Sequence, residues 1–273
     1  MRKQTLLYKI CYSALFIALT IILSRFFALP GLFGLSFLKI SFANSVVLFS
    51  SFYLGPLWGM IVGGASDVLG AILFPQGGAF NPLFTIPALL TGLFPYYFYK
   101  LINYYKIERK IPIVLMILLS AFAIFSTVIL LTNDSIGYGK TNYTFEPWLK
   151  ITLICLIFGL SIFYITAAVI VKIKFKNKKI NENYNIFTLM SSMFLTYMLI
   201  KNPISSIITA YVLNYDFLFV LFIKLMTGFF TCLVHSIIVI FSLNITLMLN
   251  NRSALLEPMM LPFKKETQNE KSA

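Results

Sequence analysis

Acidic residues are the scarcest chemistry in this chain. Nine Asp and Glu stand against 22 Lys and Arg in 273 residues, and His235 is the sole histidine. Hydrolytic or acid–base catalysis needs a nucleophile beside a base or a pair of carboxyl groups, and no such set accompanies His235 in the sequence. Cysteine is nearly as rare. Cys11, Cys155 and Cys232 sit singly in separate apolar stretches, which leaves neither a disulfide framework nor a CxxC metal site. No GxxxxGKS/T segment occurs, so nucleotide hydrolysis by a P-loop is excluded. The expectation is a chain with no catalytic residues, no metal and no cofactor. Charge is sparse throughout, at 11% of residues, and an ordinary soluble domain needs far more polar surface.

What fills the chain instead is apolar sequence, 59% of it, in long uninterrupted runs rather than amphipathic stripes. That pattern points to an all-α polytopic membrane protein with the lipid bilayer as solvent. Eight spans are expected, at about 10–29, 40–54, 57–74, 83–101, 111–132, 148–171, 186–213 and 217–249. Pro30-Gly31 closes the first, which is read as a spanning helix rather than a cleaved signal because no small-residue cleavage site follows it. Gly55-Pro56 divides the second from the third. Pro87 and Pro95 should bend the fourth, and Pro203 should kink the seventh. The last two spans exceed one bilayer crossing, and residues 250–273 form a polar tail. All of 1–249 reads as one transmembrane bundle.

The basic residues fix the orientation. Sixteen of the 22 fall at the amino terminus, in 100–110, in 172–179 and in the tail, while Lys39, Lys140 and Lys150 fall in the opposite loops. Both termini are therefore expected in the cytoplasm. The net charge of +13 follows this topology and forms no contiguous basic face, so no nucleic-acid partner is expected.

Four charges interrupt the apolar runs: Arg25, Asp67, Lys201 and Lys224. A charge at the bilayer centre costs about 2.5–3.5 kcal/mol even on the lenient insertion scale, so such residues face a bundle interior or a polar path. By helical rise, Arg25, Asp67 and Lys224 reach similar depths below the outer surface on three different helices. Cations outnumber the single acid, which suits an anionic ligand in a chamber open to the outside. Phe74, Gln76, Phe80, Asn81, Phe84 and Thr85 border that chamber, where a flat heteroaromatic ring could stack and hydrogen-bond. Ala14 and Ala18, four residues apart in the first span, form a flat strip that another helix could approach closely.

The run Ala14-Leu-Phe-Ile-Ala18 with Arg25, then Gly63-Gly-Ala-Ser-Asp67-Val-Leu-Gly70, Phe74-Pro-Gln-Gly77, Phe80-Asn-Pro82 and Leu90-Thr-Gly92, resembles the substrate-binding S components of energy-coupling factor (ECF) vitamin transporters, the folate type above all. The resemblance covers residues 5–101 well and 186–249 loosely. It implies a six-helix bundle in a bacterial cell membrane that binds a vitamin from outside. A transmembrane coupling subunit, docked on Ala14 and Ala18, and two ATPase subunits would drive the uptake. Against six helices this chain has two extra, so 111–171 reads as an insertion. Asn202 and Tyr211 match folate-type positions. Lys224 stands where arginine is expected, and Thr227 where a second basic residue is expected. The expected substrate site is Arg25, Asp67, Phe74, Gln76, Phe80, Asn81, Thr85, Asn202 and Lys224. Two other classes are open on the sequence: a stand-alone secondary transporter of a small organic anion using Asp67 as its proton site, and a membrane enzyme, for which no catalytic constellation is present.

Overall fold

The computed structural model describes residues 6–30, 39–75, 80–105, 135–138, 141–144 and 186–252, with isolated helical positions between 121 and 169. Among the described residues the chain is helical apart from two short antiparallel ladders.

Helix α1 spans Leu6–Arg25, four residues earlier than the apolar run suggests. The reason lies downstream. Leu29–Pro30 forms strand β1 and pairs with β2, Lys39–Ile40, in the register Leu29↔Ile40 and Pro30↔Lys39. The helix must unwind before that ladder, and Arg25 becomes its last residue, where a cation also complements the helix dipole. Helix α2, Ala43–Tyr53, is shorter than the expected 40–54. At about 16 Å it is about half as long as the hydrocarbon core is thick, so a crossing here would draw on the residues that flank the helix. Ser41 caps its start by accepting from the Ala43 N–H at 3.1 Å.

Helix α3, Pro56–Leu73, begins where the sequence places the break. Gly55 takes φ 103°, a conformation that side chains resist, and Pro56 supplies a first helical residue that needs no N–H. A 3₁₀ turn, Pro82–Phe84, leads into α4, Thr85–Tyr104. Pro87 lies in the first turn of α4, where N–H groups have no intrahelical partner, so it does not break the ladder as expected. Pro95 alone is interior.

The expected spans 111–132 and 148–171 lie for the most part outside the described residues. The loop between them carries a hairpin, β3 (Ser135–Tyr138) against β4 (Thr141–Thr144), with Ser135 opposite Thr144. The expected 186–213 span is three segments: α5, Ile186–Leu195; a π-helical stretch, Thr196–Lys201; and α6, Asn202–Leu213. Pro203 explains the middle one. It has no N–H to donate, and the ladder before it shifts so that the Asn202 N–H reaches the Tyr197 carbonyl. Asn214 ends α6 in the left-handed region at φ 53°. Asp216 Oδ1 then caps α7 (Phe217–Arg252) by accepting from Leu218 N at 2.8 Å and Phe219 N at 3.2 Å. α7 runs 36 residues, so it continues past the expected end at 249. The rest of the expected tail, 253–273, lies outside the described residues. Three of the described helices are long and apolar enough to cross a membrane: Leu6–Arg25, Pro56–Leu73 and Phe217–Thr246.

Small residues set the tightest crossing. A Cβ added at Gly59 would collide with the Gly92 carbonyl and with Ser51, and one at Gly63 would meet the Ala88 carbonyl. Backbone therefore packs on backbone between α3 and α4. One buried cluster joins Phe16 of α1 to Val46, Val47 and Tyr53 of α2 and Val62 of α3. A second joins Leu48 and Phe52 of α2, Tyr99 of α4, Met193 and Phe194 of α5, and Phe229 and Val239 of α7.

Candidate functional site

The face of α3 that carries Gly59 and Gly63 continues, four residues on, to Asp67. The same crossing brings the start of α4 beside it, and Thr85 Oγ1 donates to Asp67 Oδ2 at 2.8 Å. Thr85 is buried and Asp67 half-buried. Arg25 reaches this pair from α1: its guanidinium lies against Gly70, one turn beyond Asp67, where an added Cβ would come within 3.1 Å of Nε. Arg25, Asp67 and Thr85, distant in sequence, thus form one polar group on three helices. Phe74 and Phe80 are both about two-fifths exposed, and Phe74 meets Phe26, the residue after Arg25, edge-on at 5.5 Å. Asn81 has a local role, since its Oδ1 accepts from Leu83 N at 3.0 Å and caps the 3₁₀ turn. Gln76 lies outside the described residues.

A second polar group forms between α6 and α7. Lys224 Nζ donates to the Ser205 carbonyl at 2.8 Å, to Ser205 Oγ at 2.7 Å and to Thr209 Oγ1. Thr209 Oγ1 itself donates to the Ser205 carbonyl at 2.7 Å, so its lone pairs are what Lys224 meets. An ammonium has three hydrogens, and three acceptors surround this one. One turn along α7, Gly228 leaves room for Asn202, whose carboxamide lies where a Gly228 Cβ would stand. Asn202 is 6% exposed, and its Nδ2 has no hydrogen-bond partner among the described residues. Lys201, the preceding residue, sits over the Tyr197 ring, its Nζ 4.2 Å from the centroid. Tyr211 is exposed, and Thr227 donates back to the Ile223 carbonyl of its own helix at 3.0 Å. The 3₁₀ turn Pro82–Phe84 packs on both α4 and α6.

Ala14 and Ala18 lie on the outward side of α1, among exposed Leu7, Leu15 and Ile22. The opposite side of that helix is aromatic and buried, with Tyr8 and Tyr53 hydroxyls 2.5 Å apart. A cavity of about 290 Å³ lies beside the π segment, lined by Phe194, Met198, Pro203, Leu225 and Phe229 among others. It is apolar and holds none of the expected site residues, so the polar side chains rather than this cavity mark the candidate site.

His235, the sole histidine, is buried at 2% exposure, and what the sequence does not reveal is that it is bonded at both nitrogens: Nε2 to the Ser41 carbonyl at 2.9 Å, and Nδ1 to the Tyr197 hydroxyl at 2.5 Å. Its partners lie 194 and 38 residues away, a separation no local pattern reveals.

Apolar helices long enough to cross a membrane, with polar side chains gathered between several of them, mark a membrane protein. More narrowly, the chain belongs to the family of ECF-type riboflavin transporter S components, whose model matches residues 5–161. Arg25, Asp67, Phe74, Gln76, Phe80, Asn81 and Thr85 fall within that match, and Asn202 and Lys224 fall beyond it. The match also runs through 111–161, most of the segment expected to be an insertion. Folate transporter FolT of Clostridium novyi (strain NT) is 36% identical over 90 residues, which make up 33% of this chain and 49% of that protein. The chain thus spans about half the length of the curated relative it matches. No solved structure matches the chain.

Proposed function

We propose that this chain is the substrate-binding subunit of an ECF-type importer in a bacterial cell membrane, capturing a folate-like anionic vitamin from outside. The carrying observation is the charge inventory of the helices. Arg25 and Lys224 each end in a polar group, and among the described residues Asp67 joins Thr85 in the group that Arg25 reaches. The family is described by riboflavin and the relative by folate, and their chemistry distinguishes them. Riboflavin is neutral, and the imide edge of its ring presents one N–H between two carbonyls. Folate carries carboxylates, and its pterin offers an N–H beside an amino group, two adjacent donors that a carboxylate such as Asp67 can accept together. Phe74 and Phe80 would stack on the ring, with Gln76 and Asn81 at its edge. Asn202 and Lys224 would serve the anionic end, Lys224 as a point charge rather than a fork.

The distribution of basic residues supports eight spans with both termini in the cytoplasm. Ala14 and Ala18, exposed at the centre of an apolar helix face, suit close approach by a coupling subunit that two separate ATPases would move. Equilibrium titration of the purified chain with folate and with riboflavin tests the substrate. Folate is expected to bind more tightly, and Asp67→Asn to weaken folate far more than riboflavin. Tighter riboflavin binding, unaffected by Asp67→Asn, would reverse the assignment.

A further inference from the structure

The one histidine of this chain is bonded on both sides deep in the bundle, and its hydrogen bonds have a direction. The Ser41 carbonyl can only accept, so Nε2 carries the proton. In the neutral ring Nδ1 then holds a lone pair, and the Tyr197 hydroxyl donates to it. Ser41 is itself fixed, because its Oγ donates to the Leu23 carbonyl of α1 at 3.2 Å and caps α2. A chain of hydrogen bonds therefore runs from the junction of α1 and α2, through His235 on α7, to Tyr197 in the π segment.

Tyr197 is not an arbitrary endpoint. Its backbone carbonyl accepts the N–H of Asn202, the bond that closes the π turn. A π turn holds one more residue than an α turn, so its register decides which way the next side chain points. The side chain that follows is the Asn202 carboxamide, 6% exposed, lodged over Gly228, with Nδ2 lacking a partner among the described residues. A buried donor without an acceptor is costly, and a fold keeps it oriented only if something holds it there.

We infer that His235 is a positioning residue: held in its Nε2–H form by Ser41, it clamps Tyr197, fixes the π turn, and so aims the Asn202 amide at a ligand acceptor. The ligand part rests on the proposed function; the clamp does not.

The test uses the full-length protein in nanodiscs. With ¹⁵N-labelled imidazole, the sole histidine reports alone. A neutral ring protonated at Nε2 is expected, with Tyr197→Phe shifting the Nδ1 resonance and, in ¹⁵N-asparagine protein, the Asn202 side-chain amide. A ring protonated at Nδ1, or an Asn202 amide unmoved by Tyr197→Phe, would overturn the clamp whatever the ligand is. With folate as probe, Tyr197→Phe and His235→Leu should each weaken binding about tenfold, the size of one misplaced hydrogen bond. His235→Gln, whose amide can donate to Ser41 and accept from Tyr197, should restore it. In an Asn202→Ala background neither loss should recur. Equal losses in both backgrounds would show a merely structural histidine. Folate failing to bind the parent protein would sink the proposed function while leaving the resonance result to decide the clamp.

Discussion

Arg25 and Asp67 show what a single side chain contributes here. Arg25 ends α1 and reaches Gly70, one turn from Asp67, and Asp67 is also held by Thr85. If Arg25 serves the ligand directly, Arg25→Ala should weaken folate binding sharply, and adding Asp67→Asn should weaken it further. If Arg25 serves only to balance Asp67, the double variant should bind nearly as well as the parent. Isothermal titration of the four proteins separates these, because the coupling energy reports shared work and not mere additivity. The account expects the first outcome. These residues were legible in the sequence because a charge within an apolar run is conspicuous by its cost. Asn202 stood out for its resemblance to a family position. Its unpartnered amide did not, since that depends on Gly228 from another helix. Gln76, also expected at the site, lies outside the described residues.

Helices were legible where glycine, proline and asparagine punctuate them. The breaks at Gly55-Pro56 and at Asn214–Asp216 stand where the sequence puts them. The end of α1 did not, because hydropathy continues to Leu29 while the β1–β2 ladder, a pairing across a loop, forces the helix to stop at Arg25. Pro87 was misjudged for a related reason: without the exact start of α4 its first-turn position is invisible. The small-residue face of α3 and α4 was present in the sequence as Gly59, Gly63, Ala88 and Gly92, but which helix it met was not. That face supports a prediction at this scale. Gly92→Val should destabilise the protein by about 1–3 kcal/mol or more, because backbone occupies the space its side chain needs. It should also weaken ligand binding by parting Thr85 from Asp67. Asp216→Ala should cost about 1 kcal/mol through its cap alone and leave binding intact. Thermal melting beside ligand titration distinguishes the two.

At the scale of the whole molecule, the charge-poor composition and long apolar runs pointed to a membrane protein, and family membership supplies the transport context. The outward face of α1 carries the next expectation. Ala14→Trp places a bulky ring on a strip that is exposed and apolar, so the purified chain should still bind folate while cells expressing the variant with its partners lose uptake. Loss of both would point to a folding role for that strip. The most direct measurement is accumulation of labelled folate in proteoliposomes. The chain alone is predicted to bind folate and accumulate none, with or without a pH gradient, until coupling subunit, ATPases and ATP are supplied together. Accumulation by the chain alone, driven by the pH gradient, would contradict the account and make Asp67 the proton site of an independent carrier.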